Sequence, residues 1–238
     1  ITFGGSAGGN GNDNNTIEWC DIRDAASTPT NGIYSLGTYG RDNSENTVAH
    51  NNIFNFFDAS RDHSGISLAN GNSAWSIEGN NFYQTSARTV TGTNIVEAGI
   101  RIMSPDGNGF SIVDNIVGGG ESGGGGSSWS LSGSCTFFGV RVNVGSAALS
   151  SIQNNIIRNL SITTSGTANA SAGIWIDDGW VGCGDIAGNT IGSQSTTGDI
   201  VFVSSGIVGF RGIYLLSNAP AIINCSNNTI GGISVSGT

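Results

Sequence analysis

Asp177 and Asp178 are adjacent carboxylates with the best claim to acid–base chemistry, because they follow directly on the alternation Gly173-Ile174-Trp175-Ile176. Carboxylate cleavage of a glycosidic bond needs two or three such groups about 5–10 Å apart. The alternation recurs at Gly65, Gly99, Gly139 and Gly212, so the test is what stands at the matching place in those copies. Five residues on from each Gly stand Asn70, Ser104, Val144 and Ser217, and no second carboxylate lines up with Asp178. Asp106 lies two copies away, in a Pro-Asp-Gly turn. The pair therefore reads as turn aspartates ahead of Gly179, and no catalytic set is expected.

Metal and thiol chemistry find little support. His50 and His63 have no Cys or His at metal-ligand spacing, so no metal or other cofactor is expected; calcium is left open, with no residue set to support it. The segment Asp58, Arg61, Asp62, His63 is the most charged of the chain and reads as a solvated loop. Cys20, Cys135, Cys183 and Cys225 form no C-x-x-C pair. They read either as small buried residues or, in an exported chain, as one or two disulfides.

A different set of residues suits binding. In each Gly-Ile-x-Ile copy the x side chain points away from the apolar face. Down the copies it reads Tyr34, Ser67, Arg101, Arg141, Trp175 and Tyr214. Sugar rings stack on aromatic faces, and Arg bonds hydroxyls or carboxylates. Tyr34, Arg101, Arg141, Trp175 and Tyr214 are thus candidate glycan contacts. The alternative is that they simply cover a β-surface, which such residues suit.

These residues depend on a repeat. The motif glycines Gly32, Gly65, Gly99, Gly139, Gly173 and Gly212 are spaced by 33, 34, 40, 34 and 39 residues. A second motif, apolar-x-x-Asn-x-apolar, follows each one. It places Asn51, Asn80, Asn115, Asn155, Asn189 and Asn228 at equivalent positions, with Ile186 and Cys225 in the first apolar slot of the last two copies. An N-terminal copy, Ile17…Cys20…Ile22, has Cys in the Asn slot. Alternation over three or four residues signals strands, not helices. Stacked copies put Ile on Ile and Asn on Asn, the pattern of a β-solenoid. The Asn position predicts a corner in the left-handed region and a ladder of stacked amides. The Gly predicts a bend with no room for a Cβ. Unit length varies at residues 58–64, 118–138 and 193–211, which read as loops along one edge, with a further strand expected over 199–203. The glycine-rich stretch 118–126 reads as a flexible surface loop.

The expected fold is all-β: a right-handed parallel β-helix of about six to seven coils with long loops on one edge, forming one domain over residues 1–238. Gly at 39 of 238 residues with only 3 Pro fits many tight turns. All eight basic residues are Arg, and the net charge is −9. Nucleic-acid binding needs clustered positive charge, and a membrane span needs about 20 apolar residues. Neither is present, so no nucleic acid and no membrane insertion are expected. The start Ile1-Thr2-Phe3 without Met, and an end without a polar cap, suggest a processed chain or a piece of a longer repetitive protein. Flanking domains or like subunits are expected to cover the solenoid ends.

The motifs in 12–24, 31–37, 75–84 and 212–232 resemble the repeat of pectate-lyase-like parallel β-helix proteins. More closely, the chain looks like the large Gly/Asn/Ser/Thr-rich β-helix proteins of Bacteroidota that are exported by the type IX secretion machinery. The resemblance implies a secreted or cell-surface location; the missing carboxylate cluster and the absence of Lys favour a non-catalytic adhesin or structural stalk, with polysaccharide as the ligand of the outward column. It leaves open a polysaccharide lyase or glycoside hydrolase, for which the Gly-His-Gly and Arg-Ile-Lys signatures of polygalacturonases are absent. A self-assembling extracellular filament subunit is a further alternative.

Overall fold

The computed structural model describes residues 1–5, 7–168, 170–206, 208–217 and 221–237. The chain is a right-handed parallel β-helix of about seven coils, built on three seven-stranded sheets and one five-stranded sheet. The Gly-Ile-x-Ile copies make the first sheet. Its central strands, Ile95–Ser104, Cys135–Val144 and Ser171–Asp178, are the long ones. The slot before each ladder position makes the second sheet, and the Asn-x-Ile stretch makes the third. Every pairing between coils is parallel, and like sits on like: Ile66 on Ile100, Val140 on Ile174, Ile112 on Ile152.

The Asn ladder forms as expected. The backbone N–H and the Nδ2 of Asn80 both donate to Asn115 Oδ1, at 3.0 and 3.1 Å. Asn115 repeats this on Asn155, Asn155 on Asn189, and Asn189 on Asn228. Each Nδ2 also donates backward to a backbone carbonyl, as Asn115 does to Ile77 at 2.8 Å. The ladder residues are therefore satisfied although buried, which removes the cost of hiding an amide from water. The corner itself differs from expectation. At most rungs the left-handed residue is the one before the slot: Trp19 before Cys20, and His50, Gly79, Asp114, Asn154 and Asn227 before their ladder Asn, have φ between 52° and 63°.

Two further expectations are corrected. The segment 118–138 is not a simple loop, while 193–211 carries the expected strand, one residue further on; residue 207 within it lies outside the described residues. They contain Trp129–Gly133 and Ile200–Ser204, strands of the fourth sheet together with Arg88–Thr89, Leu160–Thr164 and Ile233–Gly237. Trp129, Leu131, Ile162, Ile200 and Phe202 from this sheet fill the axial core. The glycine run ahead of Trp129 is a packed turn: Asn159 Nδ2 donates to the carbonyls of Gly124 and Gly126 at 3.2 Å each. A Cβ at Gly118 would collide with the Arg158 carbonyl, so this glycine serves close backbone approach rather than flexibility.

The other correction concerns the sixth copy of the second motif. Ile186 is 80% exposed, and Cys183 occupies the inward slot, in register with Ile152. Residues 184–188 form an inserted turn between that slot and Asn189.

Candidate ligand-binding crease on the first sheet

The first sheet is bent at its glycines. A Cβ on Gly99 would lie 2.7 Å from Val117 Cγ1, and one on Gly139 would lie 2.6 Å from Ile157 Cγ1, so both positions face the lumen. The residues that follow, Ile100 and Val140, are also fully buried in the core. Two consecutive inward positions mean that the strand folds there. Residues three apart on a straight strand face opposite sides. Yet the Arg141 guanidinium carbon lies 4.9 Å from the Phe138 ring centroid. Arg211 repeats the relation over Tyr214 at 4.8 Å. Outer side chains on the two flanks of each fold therefore meet, and the outer surface is a crease running across the coils.

The crease has an apolar floor separate from the axial core: Val96, Ala98, Phe138, Ala170, Ala172 and Trp175, with Tyr214 packed against it. The Trp175 ring lies 5.4 Å from Phe138 and 4.0 Å from Tyr214. The register brings the expected column together: Tyr34, Ser67, Arg101, Arg141, Trp175 and Tyr214 are consecutive partners. Ser67 separates Tyr34 from the rest. Trp175 is only 7% exposed, because Arg141 and Tyr214 cover it. Tyr214 is half-buried and Arg211 is exposed. Trp175 and Phe138 are thus the floor, and Tyr214 and Arg211 are the part of the crease open to solvent.

Ion pairs hold the arginines. Arg141 donates to Asp177 through Nε (2.8 Å to Oδ2) and Nη2 (3.1 Å to Oδ1). Trp175 Nε1 donates to the same Oδ1 at 2.8 Å. A two-pronged contact of this kind fixes the guanidinium plane, so Asp177 orients both Arg141 and Trp175. Arg101 reaches Asp62 at 3.3 Å in a more exposed pair. Asp178 accepts from the Gly179 N–H at 2.9 Å and lies opposite Asn143, past an irregularity in the register. Among the described residues, no group of three or more His, Cys, Asp or Glu is placed to hold a metal.

The remaining candidates separate from the crease. His50 sits at the corner, its ring stacked on Trp19 at 4.6 Å. His63 does not belong to a solvated loop: it is 1% exposed. Its Nε2 lies 3.3 Å from Glu97 Oε2, and Glu97 also accepts from Trp129 Nε1 at 3.0 Å. Glu97 is marked in the sequence by a signal outside both repeat motifs, a charge in the apolar stretch Ile95-Val96-Glu97-Ala98. Cys135 and Cys183 are buried, Cys20 and Cys225 are exposed, and all four thiols are free. No helix among the described residues is long and apolar enough to cross a membrane.

No protein-family model matches this chain. No curated protein matches it in sequence. No solved structure matches it in fold.

Proposed function

We propose that the chain is a non-catalytic β-helix module, pectate-lyase-like in kind, that acts as an adhesin or stalk at the cell surface and binds polysaccharide in the crease. The type IX export route and an extracellular location belong to the same reading. The observation that carries it is the rim of the crease: a half-buried Tyr214 ring beside an exposed Arg211, held over a buried floor of Phe138 and Trp175. Stacking and guanidinium donors are what sugar rings use. Because Arg101 and Arg141 are balanced by Asp62 and Asp177, and the chain carries net charge −9, neutral glycans suit the crease better than polyuronates.

Affinity electrophoresis against neutral and acidic polysaccharides tests this. Retardation by a neutral polysaccharide is expected, weakened at least tenfold in an Arg211→Ala, Tyr214→Ala double variant. Retardation by none, or equal retardation of the double variant, overturns the reading. Depolymerisation that disappears in Asp178→Asn would replace it with a lyase or hydrolase.

A further inference from the structure

Cys183 and Cys225 stand opposite one another on adjacent strands of the second sheet. In-register neighbours in a parallel sheet are about 4.8 Å apart, inside the roughly 4.4–6.8 Å Cα separation that a disulfide spans. Both belong to one inward column, in which Cys183 follows Ile152 and Cys225 follows Cys183. Their Cβ atoms therefore leave the backbone on the same side. The sulfurs lie against consecutive rungs of the Asn ladder: Asn189 Nδ2 is 3.7 Å from Cys183 Sγ, and Asn228 Nδ2 is 3.4 Å from Cys225 Sγ. Those two amides are bonded to each other at 2.8 Å. The pairing is hidden in the sequence because Cys183 precedes its ladder Asn by six residues and Cys225 by three.

We propose that Cys183 and Cys225 are an oxidative cross-linking site, closing into a disulfide that ties the last two coils together. Cys183 is fully buried and Cys225 is exposed, which sets the order of events. The Cys225 thiolate attacks a small-molecule disulfide, here oxidised glutathione, forming a mixed disulfide and releasing one glutathione thiolate. Cys183 then gives its proton to solvent base. Its thiolate attacks the Cys225 sulfur, expelling the second glutathione thiolate. Two protein thiols are oxidised and one glutathione disulfide is reduced. Burial, with the neighbouring Cys225 next in effect, pushes the Cys183 thiol well up, so closure is the slow step and quickens as pH rises. Parallel pairing holds the Cβ atoms wider than the usual 3.5–4.5 Å or so of a cystine. The bond therefore forms with the outer strand, Ile222–Cys225, shifting inward, and it is easily reduced.

The test uses the 238-residue chain in native buffer with oxidised glutathione, followed by thiol titration after denaturation and peptide mass mapping. In a Cys20→Ser variant, which removes the other exposed thiol, the titre is expected to fall from three thiols to one. A linked peptide containing Cys183 and Cys225, lighter by two hydrogens, is expected in the map. It persists in a Cys20→Ser, Cys135→Ser double variant and disappears in Cys225→Ser. A double variant that keeps both thiols overturns the proposal. So does glutathione remaining on Cys225, or a link that joins Cys20, Cys135 or a second chain.

Discussion

His63 Nε2 lies 3.3 Å from Glu97 Oε2, and both side chains have no solvent exposure. The Arg61 carbonyl, 2.9 Å from His63 Nδ1, can only accept, so Nδ1 carries a hydrogen and a second ring proton would sit on Nε2, facing Glu97. Burial is the largest influence on His63 and opposes its charge. The hydrogen bond and charge of Glu97, then the Arg61 carbonyl and Asp58, outweigh it and raise the pKa. A raised histidine contributes its stability in full below its unfolded value of about 6.5 and loses it as pH rises through the folded value. The urea midpoint is therefore expected to drop as pH climbs above that point. Glu97→Gln should flatten the profile, and an unchanged profile in that variant would refute the assignment. Removing one partner altogether, as in Glu97→Ala, is expected to cost about 3–5 kcal/mol.

The Asn ladder predicts a gradient of sensitivity. Asn115→Ala removes an amide bonded on both sides within the buried column and leaves the Asn80 N–H and one Nδ2 hydrogen without an acceptor, the other still reaching the Val48 carbonyl. Each orphaned buried group costs about 1–3 kcal/mol. Asn228, on the outermost coil, is only half-buried, and Asn228→Ala should cost less. Equal urea midpoints for the two variants would count against the ladder as a source of stability.

The crease depends on glycine. Gly139→Ala brings a Cβ within 2.6 Å of the Gly173 carbonyl, and backbone must move to admit it. Overpacking of this kind costs roughly 1–3 kcal/mol. Gly4→Ala meets nothing within 4 Å and should be neutral. Thermal melts of the pair measure the contrast.

Trp129 links the fourth sheet to the charged pair. It packs edge-on against Phe56 at 5.6 Å and Phe137 at 5.4 Å, and donates to Glu97. Trp129→Ala is expected to cost about 3–5 kcal/mol. Trp129→Phe retains most of the packing but leaves Glu97 Oε1 only the longer Gln84 Nε2 donor at 3.4 Å, so it should fall between Ala and wild type by urea titration.

What the sequence revealed was whatever repeats. Asn51 through Asn228 and the Gly-Ile-x-Ile copies recur at near-constant spacing, and the coil, the ladder and the outward column follow from that alone. Features set by an insertion or a bend stayed hidden. Cys183 lost its place to Ile186 because a five-residue turn separates it from Asn189. Trp129–Gly133 was obscured by the glycines before it, whose composition suggests a loose loop although Arg158 and Asn159 pack against them. The crease was invisible because strand alternation assumes a straight strand, and the contact of Phe138 with Arg141 exists only where the strand folds.

The hydrogen bonds between coils all run along the long axis, which gives the molecule a mechanical grain. Tension applied end to end loads the coil boundaries in series, so each boundary carries the whole force and the weakest yields first. The first boundary rests on short strands, Thr2–Phe3, Thr16–Glu18 and Asp21–Ile22, and lacks the fourth sheet. In the middle, the ten-residue strands Ile95–Ser104 and Cys135–Val144 are backed by Trp129–Gly133 on Leu160–Thr164. Under load the molecule should peel from its N-terminal coil inward while its centre, with the crease, keeps its shape.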